Sequence, residues 1–137
     1  EKQNEQIRDF SGKHILLAED NDFNSEIAVD ILSSRGFIID SVRNGKDAVE
    51  FFDKSPVSFY DLVLLDIQMP VLNGHEACKA IRNLPRSDAE TVPIIAMTAN
   101  ALAEDVSAAL SSGMNDHIAK PIDTNNLFTV LKRYIPV

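Results

Sequence analysis

The chain has 137 residues, enough for one domain with its own core and no need of a disulfide or structural metal. It carries 13 Lys and Arg against 21 Asp and Glu, a net charge of −8, with 45% hydrophobic and 25% charged residues. That balance excludes a disordered chain and argues against nucleic acid or an anionic membrane as a partner, since both require a surplus of Lys and Arg. The longest apolar runs, ILLA and LVLL, fall far short of the roughly 18–20 residues of a membrane span. The opening EKQNEQIRDF lacks a signal-peptide core. The single Cys78 excludes an internal disulfide and a cysteine zinc site, and it fits a reducing, cytoplasmic setting. His14, His75 and His117 are scattered along the chain.

Residues 1–12 are polar and read as a linker or N-terminal arm; the domain is expected to run from 13 to 137. HILLAE (14–19) predicts a buried strand. Asn21 or Asp22 can cap a helix whose apolar face holds Phe23, Ile27, Ile31 and Leu32, and Gly36 ends it. GFIIDSV predicts a second strand; Asn44-Gly45 opens a helix with Ala48, Val49, Phe51 and Phe52 on one side. YDLVLL (60–65) is a third strand, followed by a loop marked by Pro70 and Asn73-Gly74. The next helix carries Ala77, Cys78, Ile81 and Leu84. Cys78 reads as core, and Arg82, Arg86 and Lys79 read as a solvated face. After the polar PRSDAET come strand PIIAM (93–97) and a helix from Asn100 to Ser112 with a thin apolar face of Leu102, Val106, Ala109 and Leu110. NDHIA (115–119) is a fifth strand. Asp123 or Thr124 then caps a helix with Leu127, Val130, Leu131 and Tyr134 at helical spacing.

Five alternating β–α units predict an α/β fold, a doubly wound parallel sheet with helices on both faces. In such sheets ligands bind beyond the carboxyl ends of the strands. Those ends carry Glu19-Asp20, Asp66, Thr98 and Lys120-Pro121. Three carboxylates brought together cannot all stay ionised without a cation. Hard oxygen donors in small number suit Mg²⁺, Lys120 supplies a point charge for a phosphoryl oxygen, and a carboxylate here can attack phosphorus to form an acyl phosphate.

ILLAEDN, DLVLLDIQMPVLNG, PIIAMTANA and GMNDHIAKPID together resemble the receiver domains of two-component response regulators, over residues 13–135. The resemblance implies a flavodoxin-like five-stranded sheet in the order 2-1-3-4-5 with five helices. It implies Asp66 as phosphoacceptor and Mg²⁺ (or Mn²⁺) held by Asp20, Glu19, Asp66 and the main-chain carbonyl of Gln68. Thr98 and Lys120 are expected to contact the phosphoryl oxygens, and Pro121 to follow a cis peptide. Ala99 lies in the loop that follows Thr98 in its switching movement. Gln68 and Asn100 occupy positions that tune dephosphorylation, and as neutral amides they cannot act as a general base. The aromatic switch residue of the family is replaced by His117.

AEDNDFNSEIA, MTANALAED and GMNDHIAKPID resemble most closely the receivers of hybrid sensor histidine kinases. The resemblance therefore implies the C-terminal receiver of such a kinase, with a membrane-anchored parent protein, relaying to a His phosphotransfer domain docked on the first helix. The alternative is a free-standing single-domain regulator that acts by binding a target. The expected partners are a histidine kinase or His phosphotransfer domain, with no nucleic acid, no direct membrane contact, and a monomer or weak dimer. An aspartate phosphohydrolase is disfavoured because Asp66-Ile67-Gln68 lacks the second carboxyl group that such enzymes use as general acid.

Overall fold

The computed structural model describes residues 10–99 and 103–135. Strands β1 (His14–Ala18), β2 (Ile38–Val42), β3 (Leu62–Asp66), β4 (Ile94–Thr98) and β5 (Asp116–Ala119) form one sheet in the order β2-β1-β3-β4-β5. Every pairing is parallel. Helices α1 (Asp22–Ser33), α2 (Gly45–Lys54), α3 (Gly74–Arg82), α4 (Ala103–Ser111) and α5 (Thr124–Tyr134) alternate with the strands.

The central strands β1, β3 and β4 are hydrophobic at successive positions because helices cover both faces. Leu16, Val63, Leu65 and Ile94 pack with Phe52 of α2, Ile81 of α3 and Ala109 of α4. Ile15, Leu17, Leu62, Leu64 and Ile95 pack with Leu32 of α1 and Leu127, Phe128 and Leu131 of α5. Side-chain caps start four of the helices: Asn21, Asn44, Asn73 and Asp123 each accept from a backbone N–H three residues on. At α3 the Glu76 side chain reciprocates to the Asn73 N–H, completing a capping box.

The structure departs from the sequence expectation at four places. On α1 the buried stripe is Ser25, Ala28 and Leu32, while Phe23 is 69% and Ile27 38% exposed. Phe51 of α2 is likewise turned outward. The two arginines expected on a solvated face are ties. Arg82 donates to the carbonyls of Gly113 (3.0 Å), Ala89 (3.0 Å) and Val92 (2.7 Å) and to the Asn115 side chain (2.8 Å). Arg86 pairs with Asp88 at 2.6 Å, both side chains only 9% exposed, lies over the Phe52 ring and donates to the carbonyls of Phe52 and Asp53 at the end of α2. Of the helix expected from Asn100, residues 100–102 lie outside the described residues.

The fourth departure is at the N-terminus. Phe10, grouped with the polar arm, is fully buried, stacked on Phe37 (ring centroids 4.6 Å apart) and Phe128 (6.1 Å), and its N–H donates to the Arg35 carbonyl. Gly36 makes room for this docking: its φ is +99°, and a Cβ there would stand 2.8 Å from the Ser11 Cα. Phe10→Ala is expected to cost about 3 kcal/mol, lowering the melting midpoint by roughly 10 °C, with Phe10→Leu restoring most of it. A midpoint in thermal denaturation unchanged by Phe10→Ala would show that the ring is not part of the core.

Candidate functional site

The register of the sheet assembles the site. Ala18 pairs with Leu65, so Glu19 and Asp66 leave neighbouring strands side by side. Asp66 pairs with Met97 and Thr98 with Ala119, and the Lys120 N–H donates to the Thr98 carbonyl at 2.8 Å. Glu19, Asp66, Thr98 and Lys120, singled out in the sequence at the strand ends, therefore meet in one cleft of about 330 Å³. Asp20 and Gln68 line it with them.

Lys120 Nζ donates to Asp66 Oδ2 at 3.0 Å and to Glu19 Oε1 at 3.1 Å. The second Glu19 oxygen accepts from the Asn21 N–H (3.1 Å), and Asp66 Oδ1 accepts from the Gln68 N–H (3.2 Å). Glu19, Asp66 and Thr98 are buried, and Asp20 is exposed at the mouth. Carboxylate oxygens of Glu19, Asp20 and Asp66 lie within 4.8 Å of one another. Burial pushes the Asp66 carboxyl up; the Lys120 hydrogen bond opposes this and the Glu19 charge adds to it, leaving the group at about 6. Burial alone would lower Lys120, but the hydrogen bonds it donates to Asp66 and Glu19 and the charges of those carboxylates outweigh burial and hold it above its usual value. This donor set, all hard oxygen with an excess of negative charge, fits a small divalent cation such as Mg²⁺.

Two glycines hold the loop after β3. A Cβ on Gly74 would lie 2.5 Å from the Asp66 carbonyl oxygen, and one on Gly45 would overlap the Leu72 carbonyl, which accepts from the Gly45 N–H. Between them Val71 takes φ +69° under a Leu72 N–H to Pro70 carbonyl bond of 2.8 Å, a strained turn for a β-branched residue. The Lys120–Pro121 peptide is cis.

Ala99 and Pro121 line an apolar groove of about 400 Å³ that opens beside the cleft, together with Ile27 and Ile122. His117 is not brought into the cleft: it sits half-exposed on β5, paired with Ala96, its Nδ1 3.8 Å from Asp116. Asn100 lies outside the described residues. Asn24 was missed in the sequence and lines both the cleft and the groove. Its one sequence signal is its place in the first turn of the helix that follows Asp20.

Known proteins match the chain in family and in fold. The response regulator receiver domain family matches residues 15–132. The chain is 40% identical over 123 residues to hybrid signal transduction histidine kinase I of Dictyostelium discoideum, covering 88% of this chain and 7% of that protein. It is 40% identical to two-component system protein A of Emericella nidulans, covering 89% of the chain and 17% of that protein. The chain thus spans a small fraction of the length of these curated relatives. Among solved structures, the receiver domain of the Pseudomonas aeruginosa sensor histidine kinase PA1611, with a magnesium ion coordinated in its active site cleft, superposes with TM-score 0.82 at 38% identity, covering 93% of this chain and all of that one. The receiver domain of Saccharomyces cerevisiae Ssk1, co-crystallised with the histidine phosphotransfer protein Ypd1, matches at TM-score 0.80 and 29% identity, covering 91% of this chain and 90% of that one.

The raised Asp66 value fixes a pH dependence. Without a cation the folded state binds the Asp66 proton more readily than the unfolded state, whose carboxyl lies near 3.8. The group's contribution to stability is therefore full below pH 4 and is lost as pH rises through about 6. Asn cannot ionise, so in chelator Asp66→Asn is expected to be more stable than the parent above pH 6, by up to about 3 kcal/mol, and to gain nothing below about pH 4. Urea denaturation at the two extremes checks this; a gain that is equal at both would contradict it.

Proposed function

The chain belongs to the response regulator receiver domain family, and we propose that it accepts a phosphoryl group on Asp66 from a phosphohistidine of a partner protein. The observation that carries the reading is the pairing of one ammonium, Lys120, with two buried carboxylates, Asp66 and Glu19, beside a third, Asp20. Asp66 is the nucleophile: one of its oxygens forms the bond to phosphorus as the bond to the histidine nitrogen breaks. Glu19, Asp20, Asp66 and the Gln68 carbonyl would hold Mg²⁺, which when bound neutralises charge on the transferring group. Lys120 then exchanges a carboxylate partner for a phosphoryl oxygen, and Thr98 supplies a second contact. Gln68 and Asn100 offer only amides, so fast self-dephosphorylation is not expected.

The partner we propose is a histidine kinase or His phosphotransfer domain, and the parent a cytoplasmic or membrane-anchored hybrid kinase. The exposed Phe23 and Ile27 on α1, beside the groove that adjoins the cleft, form an apolar docking surface of the right position. The acidic balance gives no support to nucleic acid, and among the described residues no helix is long and apolar enough to cross a membrane.

Incubated with Mg²⁺ and acetyl phosphate, the protein is expected to gain one phosphoryl group by intact-mass spectrometry, and Asp66→Asn none; equal labelling of the variant would overturn the assignment. Mg²⁺ at a hundred times its dissociation constant should stabilise the parent by about 2.7 kcal/mol, since the unfolded chain has no cluster to bind it. A melting midpoint indifferent to millimolar-scale Mg²⁺ would count against the cleft as a cation site.

A further inference from the structure

Asn24 stands where the acidic cleft and the apolar groove meet. The two cavities share four lining residues, Glu19, Asn24, Ala99 and Lys120, so the groove opens directly off the site of Asp66. Glu19 and Lys120 are engaged with each other at 3.1 Å, and the Ala99 side chain is only a methyl group. The backbone N–H of Asn24 is used by the Asn21 cap. Its side-chain amide has no hydrogen-bond partner among the described residues, and the residue is half-buried. The shared wall therefore holds one uncommitted polar side chain, and that side chain carries no charge.

We propose that Asn24 contacts the imidazole ring of the phosphoryl donor and selects a ring-bearing donor over other phosphoramidates. This rests on the reading of Asp66 as acceptor from phosphohistidine. In the transfer, an Asp66 oxygen supplies the electron pair of the new O–P bond, and the pair of the breaking P–N bond goes to the ring nitrogen. A ring already protonated on its other nitrogen leaves as neutral imidazole with no further proton transfer; an unprotonated ring must leave as the anion. The Asn24 amide oxygen, accepting from that N–H, keeps the proton on the ring and fixes the ring's orientation while its apolar faces lie toward Ile27, Pro121 and Ile122. A carboxylate in this place would accept the same bond but would add a fourth negative charge beside the incoming phosphoryl group.

The test uses two small donors, phosphoimidazole and phosphoramidate, with the whole chain in Mg²⁺. The readout is the ratio of their Asp66 labelling rates. In Asn24→Ala that ratio is expected to fall about tenfold, the size of one lost hydrogen bond. In Asn24→Asp, which keeps an acceptor oxygen, both rates should drop with the ratio near that of the parent. The cap survives both changes because it uses the Asn24 backbone. A parent that labels with both donors while Asn24→Ala leaves the ratio within about twofold overturns this inference alone. So does a ratio lost equally in Asn24→Ala and Asn24→Asp. A parent labelled by neither donor overturns the acceptor reading and this inference with it.

Discussion

The ammonium of Lys120, placed 3.0 Å from Asp66 and 3.1 Å from Glu19, is the contact on which the rest of the cleft depends. Two carboxylates buried together repel each other, and here the compensating charge arrives from 54 and 101 residues away in sequence. It can arrive only because β5 pairs with β4 in the register that sets Ala119 against Thr98. The sheet is thus the device that delivers the charge. One residue of slip would turn the strand-end side chains to the opposite face. The single lysine does not fully offset the acids, and Asp66 stays well above an ordinary carboxylate. The cleft stores an electrostatic debt that a divalent cation is suited to relieve.

The elements that surround the cleft divide into fixed and less anchored parts. The loop after β3 is clamped by the close approach of Gly74 and Gly45 to backbone carbonyls. The C-terminal end of α4 is tied down by Arg82 to the Gly113 carbonyl and by Ser112, whose hydroxyl lies 3.3 Å from His75 Nδ1. Described apolar anchoring of α4 is slight: Ala109 is buried but Leu110 is 55% exposed. A helix held at its far end and lightly packed over its described residues suits an element that can repack.

Much of the fold and of the proposed site was legible in the sequence because both follow from local rules. Short apolar runs, asparagine and aspartate caps and Gly-bearing turns marked the strand ends, and the strand ends line the cleft. What escaped was set by tertiary context. Phe23 and Ile27 have the spacing of a core face, but α1 turns small Ser25 and Ala28 toward the sheet, and helical periodicity cannot say which of two adjoining stripes is buried. Arg82 and Arg86 look like ordinary surface charges until carbonyls of loops and of the end of α2, 7 to 34 residues away, converge on their guanidinium groups. Phe10 sits in a polar stretch, and its burial depends on the gap left by Gly36 and on Phe128 from the last helix. Asn24 has no motif of its own; only the meeting of two cavities singles it out.

The central claim is that Asp66 is a buried carboxyl held between the repulsion of Glu19 and the attraction of Lys120. The most direct test is the titration of the Asp66 side-chain carboxyl carbon by NMR in metal-free protein. A midpoint at about 6 is the predicted result. A midpoint at the ordinary 3.8 would contradict the account, because burial and the Glu19 charge would then not outweigh the attraction of Lys120.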